Sequence, residues 1–274
     1  KSRAGRNLPA AIAVGLTLGG VVLASLLVWR PAFLLVVAAA AGIAVWEMTG
    51  AVAGEHGEGA RPPLLPLLAG CVVMSSLAWF AGVEALVLGL ALTVLAAMVW
   101  RLGDGPAGYY RDMVVTALIA VYVPFLAGFA VLLGRPADGD LQVIVTLAVV
   151  VLSDTGGYAA GVFFGRRPMA PSVSPKKSWE GFGGSLLAAA TGGALLMFFV
   201  LHHAWWAGAV FGLAVSAASV LGDLAESLLK RDLGVKDMSN LLPGHGGLMD
   251  RLDSILFAAP TAFVLLSVLA PPGT

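Results

Sequence analysis

Charged side chains are scarce in this chain. Asp, Glu, Lys and Arg together make up 12% of its 274 residues, whereas a soluble domain carries about 25%. Hydrophobic residues reach 59%, and the mean hydropathy is +0.91. The shortage of charge excludes an ordinary soluble domain and indicates an integral membrane protein.

The net charge, the cysteine content and the histidine spacing exclude further classes of protein and site. The formal net charge is zero, which excludes a bulk electrostatic attraction to nucleic acid. The chain has a single cysteine, Cys71, so an intrachain disulfide is excluded, and its apolar surroundings predict a buried, inert thiol. The four histidines show no spacing typical of a zinc site.

Long apolar runs fill most of the chain. A bilayer core takes about 20 apolar residues per helix, and in lipid each backbone amide must be satisfied within its own segment. We therefore predict an all-α polytopic membrane protein with about nine transmembrane helices, forming one domain over residues 1–274. The predicted spans are roughly residues 8–29, 31–53, 62–82, 83–100, 113–134, 141–164, 181–201, 205–229 and 251–270.

Basic residues predict the orientation of these spans. With the N-terminus and the loops after the even-numbered spans on one side, all 16 Lys and Arg residues except Arg30 and Arg135 lie on that side. Because cytoplasmic loops carry the excess of Lys and Arg, we expect this side, with the N-terminus, to face the cytoplasm.

A first polar cluster spans Ser153 to Gly181. Asp154 lies inside the sixth predicted span, where an ionised carboxylate is costly and is functional by default. A proline-rich loop follows, and its cations suit a polyphosphate or lipid phosphates, although a loop that touches anionic headgroups would look similar. Glycines at four-residue spacing (Gly157, Gly161 and Gly165) predict a helix-packing seam in the same span. The cations of the loop are Arg166, Arg167, Lys176 and Lys177.

A second cluster lies on the eighth predicted span. Ser219, Asp223, Glu226 and Lys230 are four, three and four residues apart, so they share one helical face. Glu226 and Lys230 are expected to pair for packing. Asp223 has no cation at short helical spacing, and a metal ion is the natural candidate to offset its charge.

A third cluster precedes the last span. Glycine-rich backbone around His245 is able to aim several N–H groups at one anion, as in a phosphate-binding nest. Asp250 and Asp253 share a helical face beyond it; helix-dipole stabilisation alone would account for one of them. Arg251 has the geometry to bind phosphate through two nitrogens. Hard oxygen ligands beside cations predict Mg²⁺-assisted phosphoryl or nucleotidyl transfer at the cytoplasmic face.

The third cluster belongs to a longer segment, GDLAESLLKRDLGVKDMSNLLPGHGGLMDRLDS, which runs from Gly222 to Ser254. It resembles the signature of the phosphatidate cytidylyltransferases, also called CDP-diacylglycerol synthases. Upstream, SDTGGYAAG and SPKKSWEG also look like segments of that family, with Ser178 where Thr is common. The resemblance covers the C-terminal half, and about 150–254 is expected to carry the active site. The matching signature positions are Ser227, Lys230, Arg231, Lys236, Asp237, Pro243, His245, Gly246, Gly247, Asp250, Arg251 and Asp253.

The resemblance implies a reaction and its participants. A phosphatidate oxygen attacks the α-phosphorus of CTP, forming CDP-diacylglycerol and releasing pyrophosphate, in a homodimer embedded in a bacterial plasma membrane. Mg²⁺ is the implied cofactor, with a second cation left open. Asp223 and Asp250 are the implied metal pair, with Asp253 as a third candidate. The implied catalytic residues are Asp223, Asp250, Lys236 and Arg251, and the implied substrate contacts are Arg166, Lys176, Lys177, Ser178, Asp237, His245, Gly246 and Gly247.

Two other classes compete with the enzyme. A transporter of a phosphorylated substrate would explain many spans and the intramembrane acid Glu47, but the chain shows no internal repeat. A structural membrane protein would not need the three polar clusters. Glu47 itself is read as a structural acid, with a supporting role at the site as the alternative. The spread Asp and Arg motif of the CDP-alcohol phosphatidyltransferases is absent from the sequence.

Overall fold

The computed structural model describes residues 8–54, 59–242 and 246–270. Helices account for most of this described chain. A 3₁₀ turn, Leu102–Asp104, follows the fourth helix, and a π-helical turn, Val121–Phe125, joins the fifth to the sixth. The helices are α1 Leu8–Val28, α2 Pro31–Ala53, α3 Leu64–Ala81, α4 Val83–Arg101, α5 Tyr109–Ala120, α6 Leu126–Gly134, α7 Gly139–Phe164, α8 Trp179–Phe199, α9 Trp205–Asp232 and α10 Met249–Leu269.

Eight helical stretches within the described residues are long and apolar enough to cross a membrane. They correspond to the predicted second to ninth spans, with α5 and α6 forming one continuous stretch, Tyr109–Gly134. The all-α polytopic class is therefore confirmed. Within α1, the stretch Val14–Val28 is apolar but shorter than a span, so the ninth crossing and the cytoplasmic N-terminus stay predictions.

Two local features differ from the sequence expectation. The basic loop contains a short antiparallel hairpin in which β1 (Pro168–Ala170) pairs with β2 (Ser174–Ser178). Helix α8 begins at Trp179, two residues before the predicted start. The Ser178 hydroxyl oxygen accepts the Gly181 N–H at 3.1 Å, and this N-terminal cap fixes the first turn of the helix.

The chain forms two compact units. The first unit comprises Lys1–Leu132 and Leu233–Arg251, and the second comprises Leu133–Asp232 and Leu252–Thr274. In the first unit, α2, α3 and α4 pack side by side, and Cys71 is buried with a free thiol, as predicted.

A buried ion pair joins the end of α4 to the first turn of α5 in the first unit. The Arg101 guanidinium donates through Nη2 and Nε to Asp112 Oδ2 at 2.8 and 2.9 Å. It also donates to the carbonyl oxygens of Gly105 and Ala107. Asp112 Oδ1 accepts the Arg61 backbone N–H at 2.8 Å. These bonds compensate two charges that are each at most 5% exposed.

In the second unit, α7, α8 and α9 pack against one another with few side-chain atoms between their backbones. A Cβ atom on Gly157 would collide with Ser185 Oγ, and one on Gly193 would collide with the Gly208 carbonyl oxygen. The predicted packing seam on α7 is thereby confirmed at Gly157. Hydroxyl groups bridge the same helices, since Ser153 Oγ lies 2.7 Å from Ser216 Oγ and Ser185 Oγ donates to the Ser153 carbonyl at 2.8 Å.

Candidate functional site

A cavity of about 430 Å³ opens in the second unit. Helices α7, α8 and α9 and the hairpin form its walls, and its size is within the range of small-ligand sites. Apolar side chains line much of it, but its polar members include five residues singled out in the sequence. These polar residues are Asp154, Lys176, Lys177, Ser178 and Asp223.

The closest charge contact in this cavity joins Lys177 and Asp223. Lys177 Nζ lies 2.5 Å from Asp223 Oδ2, and the two side chains are 25% and 36% exposed. Ser227 Oγ donates to the other carboxylate oxygen of Asp223 at 3.3 Å. The sequence argument for a metal assumed that Asp223 lacks a cation. That argument considered only cations at short helical spacing, and Lys177 reaches Asp223 from β2, 46 positions away along the chain. The metal at Asp223 stays a prediction.

Two more carboxylates surround Asp223. Asp154 of α7 and Asp253 of α10 lie near enough to Asp223 for mutual electrostatic repulsion, which Lys177 and Lys230 partly offset. Asp154 was singled out by its position inside a span but was left out of the predicted metal set. The structure brings it to the same cavity as Asp223.

A second carboxylate and lysine pair lies beside this group. The carboxyl groups of Asp253 and Glu226 lie near each other, and Lys230 Nζ donates to Glu226 Oε2 at 3.1 Å. The predicted Glu226–Lys230 pair is confirmed. Glu226 is fully buried, so its contacts are internal to the protein.

The donor chemistry of this cluster fits Mg²⁺. Within the described parts of the chain, no three His, Cys, Asp or Glu side chains are arranged to hold a metal ion by themselves. Mg²⁺ does not require such a cage, because it is usually held by one or two carboxylates together with substrate phosphates and water. Asp223, with Asp154 and Asp253 nearby, supplies hard oxygen donors of that kind.

The basic loop is anchored by the start of α8. Glu180 Oε2 accepts the backbone N–H groups of Arg166 and Arg167 at 3.1 and 3.2 Å. The Trp179 N–H donates to the Arg167 carbonyl at 3.0 Å. Lys176 is exposed on β2 and lines the cavity. The loop is therefore held at both ends and presents its lysines at a defined position.

The signature residues of the first unit form a separate arrangement. Asp250 Oδ2 accepts the backbone N–H groups of Met238 and Gly247 at 3.0 and 2.7 Å. Gly246 adopts a positive φ of 76°, and a Cβ there would lie 2.9 Å from Asp250 Oδ2 and 3.1 Å from Asp237 Oδ1.

Backbone N–H groups at the start of α10 converge on anions, whereas the phosphate nest predicted around His245 stays a prediction. The anions are protein carboxylates, because Gly247 donates to Asp250, and Leu248 and Met249 donate to Glu47. The sequence favoured a structural role for Glu47, with a supporting role at the site as the alternative, but it did not identify these hydrogen-bond partners. A signal was present in its position within a span, but its partners lie about 200 positions away.

The predicted site residues thus divide between the units. The pairing of Asp223 with Asp250 in one metal site stays a prediction, as do the roles of Lys236 and Arg251, which are both exposed. His245 lies outside the described residues. The second unit holds Arg166, Lys176, Lys177, Ser178, Asp223 and Asp253, and the first holds Lys236, Asp237, Gly246, Gly247, Asp250 and Arg251.

Comparison with known proteins agrees with the resemblance. Residues 9–269 match the cytidylyltransferase family. A phosphatidate cytidylyltransferase of Mycobacterium leprae is 41% identical over 283 residues, covering 97% of this chain and 90% of the relative. One of Mycobacterium tuberculosis (strain H37Rv) is 41% identical over 281 residues, covering 98% and 85%. One of Pseudomonas aeruginosa is 44% identical over 204 residues, covering 74% and 71%. The chain belongs to the cytidylyltransferase family.

Proposed function

We propose that this integral membrane protein transfers a cytidylyl group from CTP to phosphatidate, forming CDP-diacylglycerol and pyrophosphate. Relatives that align with nearly the whole chain are named for this activity. The observation that carries the proposal is the group of charged side chains in the cavity of the second unit. There a lysine-bearing hairpin faces Asp223 and Asp154 among helices that are otherwise apolar.

The reaction needs charge stabilisation more than proton transfer. A phosphate oxygen of phosphatidate forms a bond to the α-phosphorus of CTP, and the bond from that phosphorus to the oxygen bridging to the β-phosphate breaks. Pyrophosphate leaves with that oxygen. Because the attacking group is already an anion, no strong general base is required, and fixed cations stabilise the charge on the transferring group. Lys176 and Lys177 bind phosphate groups in this scheme.

Mg²⁺ is the proposed cofactor, held by Asp223, Asp250 and Asp253, with a second cation left open. When bound, it supplies positive charge that offsets the negative charge of the phosphates. Lys236 and Arg251, which lie in the signature segment, contact phosphate groups of the substrates, as the family pattern implies. Arg251 suits this role because a guanidinium binds two phosphate oxygens at once.

We further propose that the site faces the cytoplasm and that the protein is a homodimer in the bacterial plasma membrane. The Lys and Arg distribution supports the orientation, since the hairpin loop and the signature segment both lie on the basic side. The dimer rests on the family resemblance alone.

The test is pyrophosphate release by purified full-length protein supplied with CTP, phosphatidate and Mg²⁺. Asp223→Asn should abolish turnover, because it removes a charge that faces both Lys177 and the proposed metal. Asp232→Asn is the matched control, since Asp232 is exposed at the end of the same helix. Normal turnover in Asp223→Asn would remove this residue from the metal site. A wild-type protein that releases no pyrophosphate, yet moves a phosphorylated substrate across liposomes, would favour transport.

A further inference from the structure

Glu47 is a buried acid within a membrane span that the proposed reaction leaves without a role. It lies in α2, and only 2% of its surface is exposed. An intramembrane carboxylate is costly and needs specific partners. Those partners all come from the signature loop, defined here as residues 238–242 and 246–250.

Both oxygens of the Glu47 carboxylate accept hydrogen bonds from this loop. Oε1 accepts the Ser239 hydroxyl at 2.6 Å and the Leu248 N–H at 2.9 Å. Oε2 accepts the Met249 N–H at 2.7 Å. Since Met249 is the first residue of α10, the carboxylate lies at the positive end of the helix dipole and satisfies N–H groups that have no partner within the helix.

The glycine at position 247 permits this approach. A Cβ atom there would lie 2.7 Å from Glu47 Oε2 and 2.9 Å from its Cδ, closer than a carbon atom tolerates. The Gly247 N–H meanwhile donates to Asp250. One turn of backbone is therefore held from two directions by two carboxylates, one from a distant helix and one from α10 itself.

We propose that Glu47 is a positioning residue that sets the placement of Asp250 and Arg251 for cytidylyl transfer. The inference rests on the proposed roles of those two residues. Met249 bonds to Glu47 and directly precedes Asp250, so displacement of the first turn of α10 moves both site residues. A direct contact between Glu47 and nucleotide phosphates is disfavoured, because like charges repel and the loop already occupies both oxygens.

The test compares Glu47→Gln with wild type and with Glu84→Gln. The Gln amide nitrogen replaces one of the two carboxylate oxygens, so it presents N–H donors to the backbone donor of either Leu248 or Met249, whereas Glu84 is an exposed acid of the same unit. Hydrogen exchange is followed by mass spectrometry without metal or nucleotide, and kcat and KM for CTP are measured separately. Glu47→Gln should speed exchange in peptides covering residues 246–254 and leave those from α8 unchanged.

In the kinetic assay, Glu47→Gln should lower kcat about 10- to 100-fold, as loss of a partner that orients site ligands does. KM for CTP should change by a smaller factor than kcat, because misplaced Asp250 and Arg251 lose more of their effect on the charge that develops in the transition state than on substrate binding. Glu84→Gln should match wild type in both assays. Ser239→Ala removes one of the hydrogen-bond donors to Glu47 described above. It should also speed exchange in residues 246–254 and lower kcat, but by less than Glu47→Gln does.

Unchanged exchange in Glu47→Gln would overturn the proposal, and so would faster exchange with wild-type kcat. A rise in KM with kcat preserved would instead place Glu47 in substrate binding. If Glu47→Gln does not fold, Ser239→Ala must show both effects for the proposal to stand. A wild-type protein that releases no pyrophosphate would refute the proposed function, while the exchange comparison would still decide whether Glu47 orders the loop.

Discussion

The buried pair of Arg101 and Asp112 makes a quantitative prediction about stability. Asp112→Asn keeps the shape of the side chain but leaves Arg101, a residue only 5% exposed, without its buried counter-charge. Removing one partner of a buried pair costs about 3–5 kcal/mol. For a protein of this size, that cost lowers the Tm by about 6 to 20 °C.

A matched control is available within the same cluster. Asp104 Oδ2 lies 3.6 Å from Arg101 Nη1, but its side chain is 67% exposed. An exposed pair contributes about 1 kcal/mol or less, so Asp104→Asn should leave the Tm within a few degrees of wild type. Both variants remove one negative charge near the same guanidinium, so burial is the difference between them.

The assay is thermal unfolding of the detergent-solubilised protein at one fixed heating rate, because the Tm of an irreversibly unfolding protein depends on that rate. Arg101→Met combined with Asp112→Leu should cost less than the two single changes together, since neither partner is left as an unpaired charge. Equal shifts in Asp104→Asn and Asp112→Asn, or strict additivity in the double variant, would refute the reasoning from burial.

Two further predictions concern the cavity. Lys177→Met should raise the KM for CTP about 10- to 100-fold, the effect of losing a hydrogen bond to a charged group. Lys177→Arg keeps the positive charge and should raise the KM less. An unchanged KM in Lys177→Met would show that Lys177 does not contact the nucleotide. Gly157→Ala should destabilise the protein by about 1–3 kcal/mol through overpacking against Ser185 Oγ. Adding Ser185→Ala should reverse part of the decrease in Tm. No recovery in the double variant would contradict the steric explanation.

The transmembrane helices were predictable because a run of apolar residues is a local property of the sequence. The predicted third and seventh spans differ from the helices only at their ends, and the fifth also contains the π-helical turn Val121–Phe125. At Ser178, the cap was visible as a residue type, but its effect on the start of α8 depends on backbone geometry. The hairpin at Pro168–Ala170 was missed because a three-residue strand carries too little pattern to detect.

The partners of the acidic residues were harder to predict. Glu226 and Lys230 are four positions apart on one helix, so their pairing followed from spacing alone. Asp223 pairs with Lys177, and Glu47 binds the loop before α10; both contacts join residues far apart along the chain. Helical periodicity places a residue on a face of its own helix, and it carries no information about which distant segment meets that face.

The near-contact of backbones among α7, α8 and α9 has a mechanical consequence. Where Gly157 faces Ser185 and Gly193 faces Gly208, no long side chain stands between the helices to absorb a change of tilt by switching rotamer. A change in the tilt of α8 would therefore also tilt α7 and α9. The three helices would respond to a thinner or thicker bilayer as one rigid body. The width of the cavity they enclose is then governed by main-chain geometry and should be insensitive to the lipid composition around it.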